Sequence, residues 1–181
     1  IKDSINMADD KQYIDIHTRP INVQNIGLLK EINIATLPVN YQEKFYRDIV
    51  KTPKELTHYA YSGSVCIGAI CCRVEKDEET EVKRVYIMTL AVLAPYRNQG
   101  VGTTLLNDVL DHVDETMSGI KSIYLHVWVE NAAAMKFYSK FDFVKKEEIK
   151  GYYKRVDPPN AVIFERDRKL ERSLTRASTA Y

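Results

Sequence analysis

The sequence is poor in the features of an oxidised, metal-bound or membrane-spanning fold. Its three cysteines, Cys66, Cys71 and Cys72, fall in one apolar segment. Adjacent Cys71 and Cys72 should point to opposite faces of a strand, which argues against a bridge between them. We expect reduced core thiols of an intracellular protein. No Cys/His spacing suggests zinc, so no metal is expected. No apolar run reaches the ~20 residues of a membrane span, and the polar N-terminus lacks the apolar segment of a signal peptide. The formal net charge is only +1, which gives no field to draw nucleic acid or an anionic membrane surface. No repeat is visible in the sequence, and no second domain is expected within it. With 181 residues, 45% of them hydrophobic, the chain suits one globular domain burying roughly 70% of its unfolded surface.

What the chain does have is a strand, a glycine-bearing loop and a helix start within Arg84 to Leu106. Val85, Tyr86, Ile87, Met88, Leu90, Val92 and Leu93 read as a strand. Pro95 and the run Arg97-Asn98-Gln99-Gly100-Val101-Gly102 follow. Val101, Leu105, Leu106, Val109 and Leu110 then recur at helical spacing. Amides freed at a helix start attract phosphate, and Gly100 and Gly102 let backbone approach an anion closely. This is not a P-loop, because no Gly-Lys-Ser/Thr follows. It is not a dinucleotide fingerprint, because Leu105 stands where a third glycine belongs.

Taken in order, residues 1–12 are polar and expected to fray. Tyr13 to Thr18 alternates as a short strand, and Pro20 suits a first helical turn. Helices are expected over Ile21 to Ile34 and Tyr41 to Val50, separated by Leu37-Pro38-Val39, where Pro38 stops the first. That loop is either a pocket wall or a plain connector. Leu56–Tyr61 and Val65–Glu75 read as a hairpin about Ser62-Gly63, followed by Val82–Leu93 in an antiparallel meander. A helix from Val101 to about Glu115 leads to a strand over Ile123–Val129. A crossover of this length is right-handed and sets that strand parallel to the Tyr86 strand. Asn131 caps a helix over Ala132–Lys140. Strands over Phe143–Ile149 and Ala161–Glu165 complete the fold, and 166–181 is expected to be a disordered tail.

The order β-α-α-β-β-β-α-β-α-β-β, with Arg-Asn-Gln-Gly-Val-Gly after a strand, resembles the GNAT acyltransferase fold. This is an α/β (α+β) architecture with a mixed, mostly antiparallel sheet, a parallel β4–β5 pair and flanking helices. The resemblance covers 13–165. Leu-Pro-Val-Asn-Tyr at 37–41, Tyr-Ile-Met-Thr-Leu at 86–90, Leu-Ala-Pro-Tyr-Arg at 93–97, Ile-Tyr-Leu-His-Val at 123–127, Phe-Tyr-Ser-Lys-Phe at 137–141 and Tyr-Tyr-Lys-Arg at 152–155 resemble the NatE type of N-terminal acetyltransferase. That resemblance implies an enzyme moving acetyl from acetyl-CoA to protein N-termini, with a preference for initiator Met followed by a hydrophobic residue. It implies that Tyr86 and His126 position a water for deprotonating the amine, and that Tyr138 lies near the coenzyme A sulfur. It implies acetyl-CoA binding by Leu90, Ala91, Val92, Arg97, Asn98, Gln99, Gly100, Val101, Gly102, Thr103, Asn131, Ala134, Tyr138 and Lys140. Leu37, Pro38, Val39, Tyr41 and Met88 match the pocket for the first residue, and Tyr152 and Tyr153 match the opposite wall. Nascent chains, association with a NatA complex at the ribosome, and a place in cytoplasm and nucleus are also implied. Two positions depart from the family: Leu37 replaces a phenylalanine, and Asp142 replaces a glycine that takes left-handed backbone.

The residues themselves leave alternatives. His126 is either a histidine satisfied inside a strand or a base beside Tyr86, and Tyr138 is either an acid for a thiolate or a packing aromatic. The cysteines stand apart from any histidine, which favours direct transfer over a covalent enzyme intermediate. Competing readings are an acetyltransferase for lysine or small amines, and a non-catalytic subunit of a larger complex.

Overall fold

The computed structural model of the protein describes residues 14–169. Seven strands form one sheet in the order β1-β2-β3-β4-β5-β7-β6. The strands are β1 (His17–Pro20), β2 (Thr57–Ser62), β3 (Val65–Lys76), β4 (Lys83–Val92), β5 (Ile120–Trp128), β6 (Val144–Ile149) and β7 (Ala161–Asp167). The helices are α1 (Ile26–Thr36), α2 (Glu43–Ile49), α3 (Val101–Thr116) and α4 (Ala132–Ser139). Every neighbouring pair is antiparallel except β4 with β5, which is parallel as the crossover requires.

Two apolar clusters cover the two faces. On one, Leu105, Leu106, Val109 and Val113 of α3 pack against Ile70, Cys72, Val85, Ile123 and Leu125, with Tyr138 of α4 beside them. On the other, Leu29 and Ile32 of α1 and Tyr46 and Ile49 of α2 meet Tyr59, Ala69, Cys71 and Ala91. Cys71 and Cys72 thus point to opposite faces, both fully buried. Burial pushes the Cys71 thiol up to about 12.

The β4–β5 ladder is short. It pairs Lys83 to Tyr86 with Ile120 to Tyr124 and then ends. Just beyond, β4 bulges against β3: Cys72 faces Ile87 and Cys71 faces Thr89, leaving Met88 as the extra residue. A bulge bends its strand and increases its twist, which carries β4 away from β5. The sheet therefore forks after Tyr86 and Tyr124.

Several boundaries differ from the sequence expectation, and three of them have a clear local cause. The first strand lies at His17–Pro20 rather than 13–18, and Pro20 closes it. An edge strand tolerates a missing N–H, and β1 is such an edge. Helix α1 starts at Ile26, because Asn22 and Asn25 form a turn first. The Asn22 carboxamide oxygen accepts from the amides of Gln24 and Asn25. At the other end β7 continues to Asp167, past the expected start of the tail at 166. Arg166 is buried and donates two hydrogen bonds to Asp114 of α3, at 3.1 and 2.6 Å. The expectations for 1–12 and 170–181 lie outside the described residues.

Candidate active site

The fork places Tyr86 and His126 together. Tyr86 is the last β4 residue paired with β5, opposite Tyr124. His126 follows Tyr124 by two, so it shares that face of the sheet. The Tyr86 hydroxyl lies 3.2 Å from Nδ1 of His126. It also lies 3.3 Å from the Tyr152 hydroxyl. The Tyr152 ring stacks on the imidazole at 4.4 Å. The Tyr86 hydroxyl and the imidazole are thus in direct contact.

Electrostatics assign each group a protonation state. Burial lowers the His126 pKa below its ordinary 6.5, although the charge of Glu75 pulls the other way. The imidazole is therefore neutral at pH 7. Burial, reinforced by the hydrogen bond with Tyr152, holds the Tyr86 phenol well above its usual range. Tyr86 keeps its proton at any working pH.

Residues expected to grip a peptide gather around this pair. The Tyr41 ring lies tilted against Phe45, 4.3 Å between centroids. Burial first, then the phenols of Tyr153 and Tyr152, push Tyr41 up to about 12. The loop after α1 and the loop between β6 and β7 thus face one another. Leu37, Tyr41 and Met88 pack against the cluster beneath α1, while Pro38 and Val39 stay exposed. The second loop is held by the Tyr153 amide, which donates to the Pro159 carbonyl at 2.8 Å.

On the fork's open side lies a cavity of about 670 Å³, within the range of small-molecule sites. Its lining includes Leu90, Ala91, Val92, Arg97, Asn98, Gly100, Val101, Gly102, Thr103, Asn131, Ala134, Tyr138 and Lys140. Of the expected cofactor residues only Gln99 is elsewhere. Its side chain turns back to donate to the Pro95 carbonyl at 2.7 Å. Thr36, Tyr96, Ala133 and Phe137 also line the cavity and were not expected. Phe137 was legible as the neighbour of Tyr138, whereas Thr36 comes from a distant helix.

The lining suits acetyl-CoA. Helix α3 opens into the cavity with no acidic residue in its first turn and no side-chain cap. Its first-turn amides have no acceptor within the helix and can donate to a pyrophosphate. Gly100 takes the left-handed conformation at φ +88°, which favours glycine. A Cβ on Gly102 would lie 3.4 Å from the Phe137 ring, narrowing the approach. Asn131 caps α4 as expected, accepting from the Ala134 amide at 3.0 Å. Tyr138, buried at the wall, is kept protonated because burial raises its pKa far above its usual range.

Two residues behind the pair were missed. Tyr124 stacks on Tyr86 at 4.9 Å and donates its hydroxyl to Glu75. The signal for Tyr124 was its place two residues before His126. Glu75 sits in a charged strand end with nothing local to mark it. Among the described residues no group of three His, Cys, Asp or Glu side chains is arranged to hold a metal ion.

The acetyltransferase (GNAT) family model matches residues 26–143. N-alpha-acetyltransferase 50 of Danio rerio is 43% identical over 146 residues, covering 81% of this chain and 84% of that protein. The probable N-acetyltransferase san of Drosophila melanogaster is 36% identical over 146 residues, covering 81% and 77%. Among solved structures, Arabidopsis thaliana Naa50 in complex with the bisubstrate analogue CoA-Ac-MVNAL superposes with a TM-score of 0.76 at 40% identity, covering 84% of this chain and 99% of that one. With the fork, the anion-ready helix start and the tyrosine–histidine pair in place, the chain belongs to the GNAT acetyltransferase family and, within it, to the N-alpha-acetyltransferase 50 group, the NatE catalytic type.

Proposed function

We propose that the protein acetylates the α-amine of proteins whose first residue is methionine followed by a hydrophobic residue, using acetyl-CoA held in the cavity beside α3. The observation that carries this reading is the Tyr86–His126 contact at the closed end of the fork. It stands between the cavity and the facing loops that bear Tyr41 and Tyr152. The analogue bound by the Arabidopsis relative begins with Met-Val, which supports the sequence preference.

The acceptor chemistry asks little of the base. An α-amine with a pKa of about 7.7–8 is neutral roughly one time in ten at pH 7, while a lysine at about 10.4 is neutral only a few times in ten thousand. That gap is on the order of 4 kcal/mol. A neutral histidine is sufficient for the first and poor for the second. A water on the substrate side of Tyr86 carries the ammonium proton to the phenol, which passes its own proton to Nδ1 of His126. Bound acetyl-CoA supplies the activated thioester. The α3 amides with Gly100 and Gly102 orient its pyrophosphate, and Tyr138 holds a proton at the cavity wall for the departing sulfur. Leu37, Pro38, Val39, Tyr41 and Met88 receive the methionine side chain, and Tyr152 and Tyr153 close over the peptide. Nascent chains presented with a NatA complex, in cytoplasm and nucleus, are the source of such N-termini that the family resemblance favours.

Initial rates on a Met-Leu-starting peptide, on peptides with other first residues, and on an N-terminally blocked lysine peptide test the reading. We expect turnover to fall in that order. Equal rates on the blocked peptide would overturn it.

A further inference from the structure

Behind the reacting pair, a line of contacts runs from His126 to a carboxylate on a different strand. Glu75 lies on β3, where Arg73 and Glu75 pair with Tyr86 and Arg84 of β4. Its carboxylate accepts the Tyr124 hydroxyl and, at 2.8 Å, Nε of Arg73. The Tyr124 ring lies against Tyr86 at 4.9 Å with planes 29° apart. Two guanidinium groups close the arrangement, Arg84 at 4.5 Å over Tyr124 and Arg73 at 5.4 Å over Tyr86. Burial alone would push the Glu75 pKa up, but the Tyr124 and Arg73 hydrogen bonds and the charges of Arg73 and Arg84 outweigh it and hold the carboxyl ionised.

We propose that Glu75 and Tyr124 are positioning residues for the transfer step: the Glu75 carboxylate anchors Tyr124, and the stacked Tyr124 ring holds the Tyr86 phenol on Nδ1 of His126. The proposal rests on the reading of His126 as the base. The geometry gives it two effects. A hydrogen bond to a charged acceptor is worth roughly 1.5–3 kcal/mol, enough to fix a ring whose partner ring sits at the reacting end. A carboxylate on this face also favours the imidazolium that forms when the proton arrives.

Arg73 on β3 and Arg84 on β4 are cations that oppose Glu75 in part. Tyr86 on β4, Tyr124 on β5 and Tyr152 on the β6–β7 loop face His126 as phenols, with Tyr41 beyond Tyr152. Glu165 of β7 is opposite Tyr124 in register but accepts the Ser122 hydroxyl. Replacing Glu75 by glutamine keeps an acceptor for Tyr124 while leaving two cations unopposed, so the His126 titration moves to lower pH. An ion pair that served only the surface would move neither the titration nor turnover.

The test uses Glu75→Gln and Tyr124→Phe in the whole chain, with melting temperature confirming the fold. In both variants kcat on a Met-Leu-starting peptide should fall about tenfold, with peptide KM and acetyl-CoA affinity within about twofold of the parent. The His126 ring resonance, assigned by its absence in His126→Gln, should titrate at lower pH in Glu75→Gln. An unchanged kcat in both variants, or an unmoved titration, overturns the proposal. Parental turnover in His126→Gln would instead sink the base reading itself, whatever Glu75 does.

Discussion

Tyr86 and His126 belong to neighbouring parallel strands, yet their side chains meet at 3.2 Å where those strands have just stopped pairing. Were the ladder continuous, backbone hydrogen bonds between β4 and β5 would close this space. The bulge at Met88 removes them. The fold thus makes the pair and the cavity by one device.

The pH dependence of turnover follows from the environment of that pair. A base must be neutral to act, and burial lowers the His126 pKa from its ordinary 6.5. Activity should therefore persist below pH 6.5, falling only as pH drops through the lowered value. A kcat/KM profile checks this, and His126→Gln should abolish that acidic limb. A limb above 6.5 that disappears in His126→Gln would mean that the charge of Glu75 outweighs burial, whereas one at about 7.7–8 that persists there belongs to the peptide α-amine.

Gly102→Val should weaken acetyl-CoA binding about tenfold or more, measured by calorimetry. The added Cβ would lie 3.4 Å from Phe137, and its methyls would project toward the cavity wall. Helix α3 itself should survive, with a melting temperature close to the parent's, since valine is a better helix former than glycine. Unchanged affinity would contradict the pyrophosphate assignment.

Asp114→Ala should destabilise the fold by about 3–5 kcal/mol, because it strands the Arg166 guanidinium in the core. Arg166 is 2% exposed, and both of its terminal nitrogens donate to Asp114. The Lys169 amide loses an acceptor too. Denaturant melts report this directly. Replacing both partners with apolar residues of similar volume should cost much less than the single change.

The sheet was legible because its strands are apolar and bounded by turn residues, and the parallel pair followed from the crossover through α3. The left-handed backbone at Asp142, at φ +64°, was legible too, because aspartate stands where the resemblance led us to expect glycine. Pro20 misled: proline suits both a helix start and an edge strand, and only pairing with His58 decides. Arg166 misled for a related reason. A charged residue in a charged stretch reads as solvated until Asp114, 52 residues earlier in sequence, supplies its partner. At the site, Tyr86 and His126 were legible through the family strings. Their direct contact, the Glu75–Tyr124 anchor and the Thr36 wall depend on distant segments meeting, which periodicity does not report.

The central claim is tested most directly by measuring, on one Met-Leu-starting peptide, the turnover of His126→Ala and Tyr86→Phe beside their acetyl-CoA affinities. Losing a base from a preformed site costs about 10²-fold or more in kcat. We predict that loss in His126→Ala, a comparable one in Tyr86→Phe, which cuts the relay, and parental acetyl-CoA affinity in both. Parental turnover in both variants, or a fall matched by lost cofactor affinity, would contradict the account.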